Sequence, residues 1–248
     1  SNKTYAVKVV SNSGNKYRFD DFGTSAVTLD LAEGSTYIFD QSDSSNSGHP
    51  LRFSTTSNGT HGGGTEYTTG VTVTGTPGQA GAKTTIVVAA SAPTLYYYCS
   101  VHSGMGGQAN TNSTAGASNF DGSVQATVKA SQTAGFSIVN FNSQSSNANY
   151  TCGHGLSAAP ELIFMKSRTR SGGPWWTFHA SVCDTVAKTL FLNTSGAVSD
   201  NVAAGGGNVW GAALPTNSVF GFTTGSGSAH TQNETVIAYC FTSVAGYS

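Results

Sequence analysis

The sequence predicts an all-β protein, and three observations carry that expectation. Apolar residues fall in short runs that alternate with polar ones, the period of a strand with one buried face. Those runs are separated by clusters of Gly, Ser and Asn, fed by 31 glycines, and such clusters are turn chemistry. No stretch carries a capped 3.6-residue periodicity longer than about two turns, so no helix is expected. Only 9% of residues are charged, but 38% are hydrophobic, with 13 Phe, 10 Tyr and 3 Trp. That apolar content separates the chain from disordered sequences. Its 248 residues leave room for one large or two small domains, each able to bury a core.

Taken in order, Tyr5, Val7 and Val9 alternate with Lys8 across Thr4 to Val10, a first strand. The cluster 11–15 turns the chain into Tyr17-Arg18-Phe19, and Val27, Leu29 and Leu31 point one way against Thr28 and Asp30. Further strands are expected at 37–39, 51–53, 67–73, 84–89 and 95–98, with a turn at Thr76-Pro77-Gly78. Some eight short strands in the first hundred residues predict an antiparallel Greek-key sandwich. Residues 108–122 are almost wholly small and polar and read as a linker. The second half repeats the pattern, with strands expected at 123–128, 135–141, 161–166, 175–179, 189–192, 218–223 and 235–241. Glycines at 153/155, 172–173, 205–207 and 225/227 separate them. The expected domains are therefore 1–107 and 123–248.

Several functions are excluded at this level. The net charge is −1 and no Lys/Arg cluster exists, so nucleic acid and anionic membrane have no electrostatic footprint. No run of about 18 apolar residues occurs, so no membrane insertion is expected. The N-terminus lacks the zones of a secretory signal and does not begin with Met, which marks a processed chain or part of a longer one. Four cysteines, at 99, 152, 183 and 240, form no C-x-x-C pair, which removes zinc-ribbon and thioredoxin readings.

The densest chemistry lies in Tyr96-Tyr97-Tyr98-Cys99-Ser100-Val101-His102-Ser103-Gly104-Met105-Gly106-Gly107. Singly, Cys99 reads as a buried thiol, His102 as a loop residue and Met105 as a gap-filler. Jointly they offer thiolate, imidazole and thioether in one glycine-flexible loop, the donor set of a blue-copper site that lacks only a second histidine. His49, in the turn Gly48-His49-Pro50, can supply it. His61 in Thr60-His61-Gly62 is a spare ligand or a residue of a mobile surface loop.

Through Gly48-His49-Pro50 and Cys99-x2-His102-x2-Met105, residues 1–107 resemble a cupredoxin (blue-copper-like) domain. The resemblance implies a two-sheet Greek-key sandwich with copper held by His49, Cys99, His102 and, weakly, Met105. The short His102–Met105 spacing departs from most single-domain copper carriers, so the His2Cys set is the firmer expectation. In the second half, the segments 134–139, 153–156, 159–163, 215–220 and 237–241, with Gly246-Tyr247-Ser248 at the end, resemble a concanavalin-A-like jelly roll. Such jelly rolls are found in virion structural and tail-fibre proteins of marine tailed phages. That resemblance implies a tail-fibre, adhesion or capsid-decorating protein on the virion surface, homo-oligomeric and partnered by other virion proteins and by a host-surface glycan or protein.

No enzyme is expected. His154, His179 and His230 could each serve as a base, but no nucleophile elbow, H-E-x-x-H motif or carboxylate pair accompanies them. His154 reads as a turn residue and Cys240 as a core filler. Trp175-Trp176 could stack on a sugar, although neighbours on a strand face opposite sides, so one belongs to the core. Two further readings compete with the virion protein: an extracytoplasmic blue-copper electron carrier and a carbohydrate-binding module.

Overall fold

The computed structural model describes residues 2–204, 207–225 and 230–246. The expected turn glycines Gly205, Gly206 and Gly227, and the terminal Tyr247-Ser248, lie outside the described residues. The chain is all-β, as the alternation predicts, and divides into two compact units, residues 1–117 and 118–248. Among the described residues the only helical pieces are the 3-10 turns Ser44–Asn46 and Gly59–Gly62.

The first unit contains β1 (Asn2–Ser11), β2 (Asn15–Phe19), β3 (Leu29–Asp30), β4 (Thr36–Asp40), β5 (Leu51–Ser54), β6 (Val71–Thr74), β7 (Lys83–Val87), β8 (Leu95–Cys99) and β9 (Gly107–Asn110). They form a five-stranded sheet ordered β2-β1-β4-β7-β6 and a four-stranded sheet ordered β3-β9-β8-β5. Alternation decides which side chains enter the core: Tyr5 and Val7 on β1, Tyr17 and Phe19 on β2, and Tyr37 and Phe39 on β4 are all buried. Aromatic pairs join the two sheets. Phe19 meets Tyr97 edge-on at 5.1 Å, and Phe39 meets Phe53 at 5.4 Å. Each such pair adds about 0.5–1.5 kcal/mol beyond the area it buries.

Two expectations fail here. The sheets are not purely antiparallel, because β1 runs parallel to β4 and β3 parallel to β9; side-chain alternation carries no information on strand direction. The stretch 108–122 is not a linker throughout. β9 sits between β8 and β3, with Ala109 opposite both Leu95 and Leu29 and fully buried. One small apolar side chain suffices for a strand held by backbone bonds on both edges, and composition gives no sign of that.

At the division point comes β10 (Ala117–Asn119), then β11 (Ala126–Ser131), β12 (Phe136–Asn142), β13 (Asn149–Gly153), β14 (Leu162–Ser167), β15 (Trp176–His179), β16 (Lys188–Phe191), β17 (Ser199–Asp200), β18 (Val219–Thr223) and β19 (Thr235–Phe241). They build an eight-stranded sheet ordered β10-β11-β12-β19-β14-β15-β16-β17 and a two-stranded sheet β13-β18. One buried cluster joins the sheets: Val139 and Phe141, Ile163 and Met165, and Ala238 and Cys240 pack with Cys152, Phe220 and Phe222. On the other face of the large sheet, Phe136, Ile138, Leu162, Phe164, Tyr239 and Phe241 are half-buried.

Candidate metal centre

The first unit brings His49, Cys99 and His102 together. β8 ends at Cys99, which is fully buried, and the loop after it brings His102 back over the thiol. His49 enters from the turn before β5, whose Leu51 lies opposite Cys99 in the sheet. Cys99 Sγ is 3.9 Å from His49 Nδ1 and 3.8 Å from His102 Nδ1, and the donor atoms of all three lie within 4.8 Å of one another. An ion with bonds of about 2.3 Å to sulfur and 2.0 Å to nitrogen, in a plane with its donors, needs sulfur–nitrogen separations of about 3.7 Å. The observed spacing therefore fits one thiolate and two imidazoles around a single ion. Met105 is buried on the same loop, and its carbonyl accepts from Tyr17 N–H at 3.0 Å, which ties the loop to β2.

Polar side chains hold each donor in place. Gln41 is buried and spans the His49 turn: its Nε2 donates to His49 O at 2.8 Å and to Asn46 Oδ1 at 3.2 Å, while its Oε1 accepts from Leu51 N–H at 3.0 Å. Tyr17 O–H also donates to His49 O, at 2.8 Å. Burial, and next the Cys99 thiol close by, push that hydroxyl far above its ordinary pKa, so it stays a donor. Asn46 Nδ2 donates to Val7 O at 2.7 Å, anchoring the same turn to β1. Cys99 Sγ accepts from His102 N–H at 3.4 Å, which ties the return loop to the thiol. Burial, then the neighbouring His102, lower the His49 pKa from its ordinary value, which keeps its ring neutral and its lone pair available.

The ligand loop has its own clamps. Asn58, in the left-handed region at φ 61°, donates through Nδ2 to Ser103 Oγ and accepts from Gly104 N–H, both at 2.8 Å. Lys16 Nζ donates to Gly104 O. Gly106 passes so close to β8 that a Cβ there would sit 1.7 Å from Tyr97 O. His61 is exposed and does not join the trio. It sits on the turn Gly59–Gly62 with Nε2 3.0 Å from Cys99 O, against the backbone of the ligand strand. On the solvent side of the trio, His102 and the adjacent Val101 are exposed, Val101 at 57%. Gln41, Asn46, Asn58 and Tyr17 carry no sequence signal for this role, since each acts through partners remote in the chain.

One protein family, described as a domain of unknown function (DUF7483), matches residues 109–248. The chain belongs to that family. No curated protein and no solved structure matches it. The match begins after His102, so His49, Cys99 and His102 all lie outside the DUF7483 segment.

Within the DUF7483 segment the remaining flagged residues are mostly structural. His154 follows the end of β13 and is fully buried, with Nε2 3.1 Å from Thr216 O and Nδ1 accepting from Leu156 N–H. His230 is also buried, its Nδ1 3.1 Å from Glu234 Oε2, while Arg170 Nε lies 3.5 Å from Glu234 Oε1. Trp176 belongs to the core, and Trp175 lies half-buried beside Tyr239 at 6.4 Å. All four cysteines are free and buried. His179, by contrast, is exposed at the end of β15.

Proposed function

We propose that the first unit holds a copper ion through His49 Nδ1, Cys99 Sγ and His102 Nδ1, in a non-enzymatic structural protein of a virion surface. The observation that carries the metal assignment is the trio's sulfur–nitrogen spacing of 3.8–3.9 Å. When bound, the ion joins the His49 turn, the end of β8 and the loop after it. Binding only to the folded chain, it stabilises that fold by mass action, by about 2.7 kcal/mol at a hundredfold excess over Kd. The residues supply the rest: Gln41 and Tyr17 hold the His49 turn, and Asn58 and Lys16 hold the return loop. The virion role is supported by the resemblance of the second half to jelly rolls of virion structural proteins. The half-exposed aromatic face of the large sheet suits protein–protein assembly.

The test is to titrate the purified chain with Cu(II) and follow visible absorption and melting temperature. Intense blue absorption saturating at one equivalent, with a raised melting temperature, is expected; a colourless protein with unchanged melting sinks the assignment. Mass spectrometry of purified phage particles tests the virion placement. A second reading, an electron carrier, is favoured by the exposed His102 ring beside Val101. A reversible redox wave from the copper-loaded chain would select it, whereas copper that raises melting without reversible redox would retain the structural role.

A further inference from the structure

A cavity of about 340 Å³ opens at one end of the large sheet in the second unit. Its walls include Glu161, Leu162, His179, Phe241, Ser243 and Gly135. Four paired residues run across this end of the sheet: Phe136 on β12 pairs Phe241 on β19, which pairs Leu162 on β14, which pairs His179 on β15. Phe241 is wedged between Phe136 at 4.9 Å and Phe164 at 5.8 Å, so the apolar part of the wall is rigid. Glu161 is fixed through its backbone, N–H to Phe241 O and O from Ala180 N–H, each at 2.8 Å. At Gly135, with φ +60°, a Cβ would lie 2.4 Å from Val244 Cγ2, so only glycine lets the segment after β19 close this side.

The polar groups are of complementary kinds. Among the described residues the Glu161 carboxylate meets no hydrogen-bond donor of the chain, and no Lys or Arg lines the cavity. His179 Nδ1 accepts from Ser181 N–H at 3.2 Å, which leaves Nε2–H as the ring's donor. The cavity thus presents an acceptor and a donor beside an aromatic ring, with the Ser243 hydroxyl able to act as either. A cation would meet the carboxylate but oppose the imidazole N–H. A pair of neighbouring hydroxyls satisfies both, since one donates and the other accepts, while the C–H face of their ring covers Phe241. We propose that this cavity binds a neutral pyranose unit of a glycan, with Glu161 accepting from one hydroxyl and His179 donating to its neighbour. This site is distinct from the Trp175-Trp176 pair and does not depend on the copper reading.

Saturation-transfer NMR on the full chain with methyl α-glucoside, methyl α-mannoside and methyl β-galactoside tests it. At least one should bind with Kd about 1–10 mM, the range set by a dozen ligand atoms. Glu161→Gln, an exposed near-isosteric change, should weaken that glycoside about tenfold with melting temperature unchanged, and Trp175→Ala should leave binding intact. Silence from all three glycosides overturns the assignment. So does binding that survives Glu161→Gln or is lost with Trp175→Ala, and so does capture of tetramethylammonium in place of the glycosides.

Discussion

Replacing Gln41 by Leu removes the amide that spans the metal turn while nearly preserving volume. The buried Leu51 N–H loses its acceptor and Asn46 Oδ1 its donor, whereas His49 O keeps the Tyr17 hydroxyl. Each buried group left unpaired costs about 1–3 kcal/mol, so with two of them the variant should lose about 2–6 kcal/mol of first-unit stability. Residues that orient a ligand without touching the metal typically change affinity 10–100-fold, so copper should also bind more weakly by about that factor. The chain provides its own reference signal. Trp175, Trp176 and Trp210 all lie in the second unit, while Tyr5, Tyr17, Tyr37, Tyr97 and Tyr98 are buried in the first. In urea, near-ultraviolet tyrosine dichroism should report a lower midpoint for Gln41→Leu, and tryptophan fluorescence an unchanged one. A tyrosine-reported midpoint equal to that of the parent chain would show that the amide contributes nothing, and the account of the turn would be wrong.

Other perturbations test other links. Gly106→Ala places a methyl 1.7 Å from Tyr97 O; the loop must move away from β8, and copper-dependent colour should vanish even where the second unit still gives a normal tryptophan signal. Cys99→Ser should abolish the intense absorption while costing little apo stability, because the hydroxyl is of similar size; retained colour would mean another residue supplies the charge transfer. The cluster of Glu234, His230 and Arg170 makes the second unit acid-sensitive. Burial alone would raise the Glu234 pKa, but hydrogen bonds from His230 and Thr231 and the Arg170 charge bring it down to about 2. A depressed carboxylate stabilises above its unfolded value and loses that contribution as pH falls toward the folded one. His230 is lowered chiefly by burial, so it too is destabilising to protonate once pH drops below about 6.5. The tryptophan-reported midpoint should therefore fall first below pH 6.5, through His230, and again between about pH 4.5 and pH 2, through Glu234, with the lower limb shallower in Glu234→Gln; a flat profile would refute the argument.

Strands with one buried face were readable because burial imposes a period of two, as in Tyr5/Val7 or Ile163/Met165. His49, Cys99 and His102 could be grouped because a thiol and two imidazoles form a donor set with few other uses. What stayed hidden depends on partners far along the chain. Gln41, Asn46 and Asn58 are ordinary loop residues until Leu51, Val7 and Gly104 stand opposite them. β13 was missed because Asn149 and Gly153 at its ends resemble turn chemistry, although Cys152 faces the core. The parallel pairings β1–β4 and β3–β9 were equally silent, since direction is set by topology and not by local pattern.

The seam at residue 109 has a practical consequence for anyone dissecting the molecule. The family segment starts in the middle of β9, so a fragment trimmed to that boundary takes with it half of a strand belonging to its neighbour. The amputated piece would bare the edges of β3 and β8 and uncover Leu29 and Leu95 together, inviting self-association. A cut just before Ala117 keeps both β9 and β10 whole and falls beside the point where the chain divides into its two units.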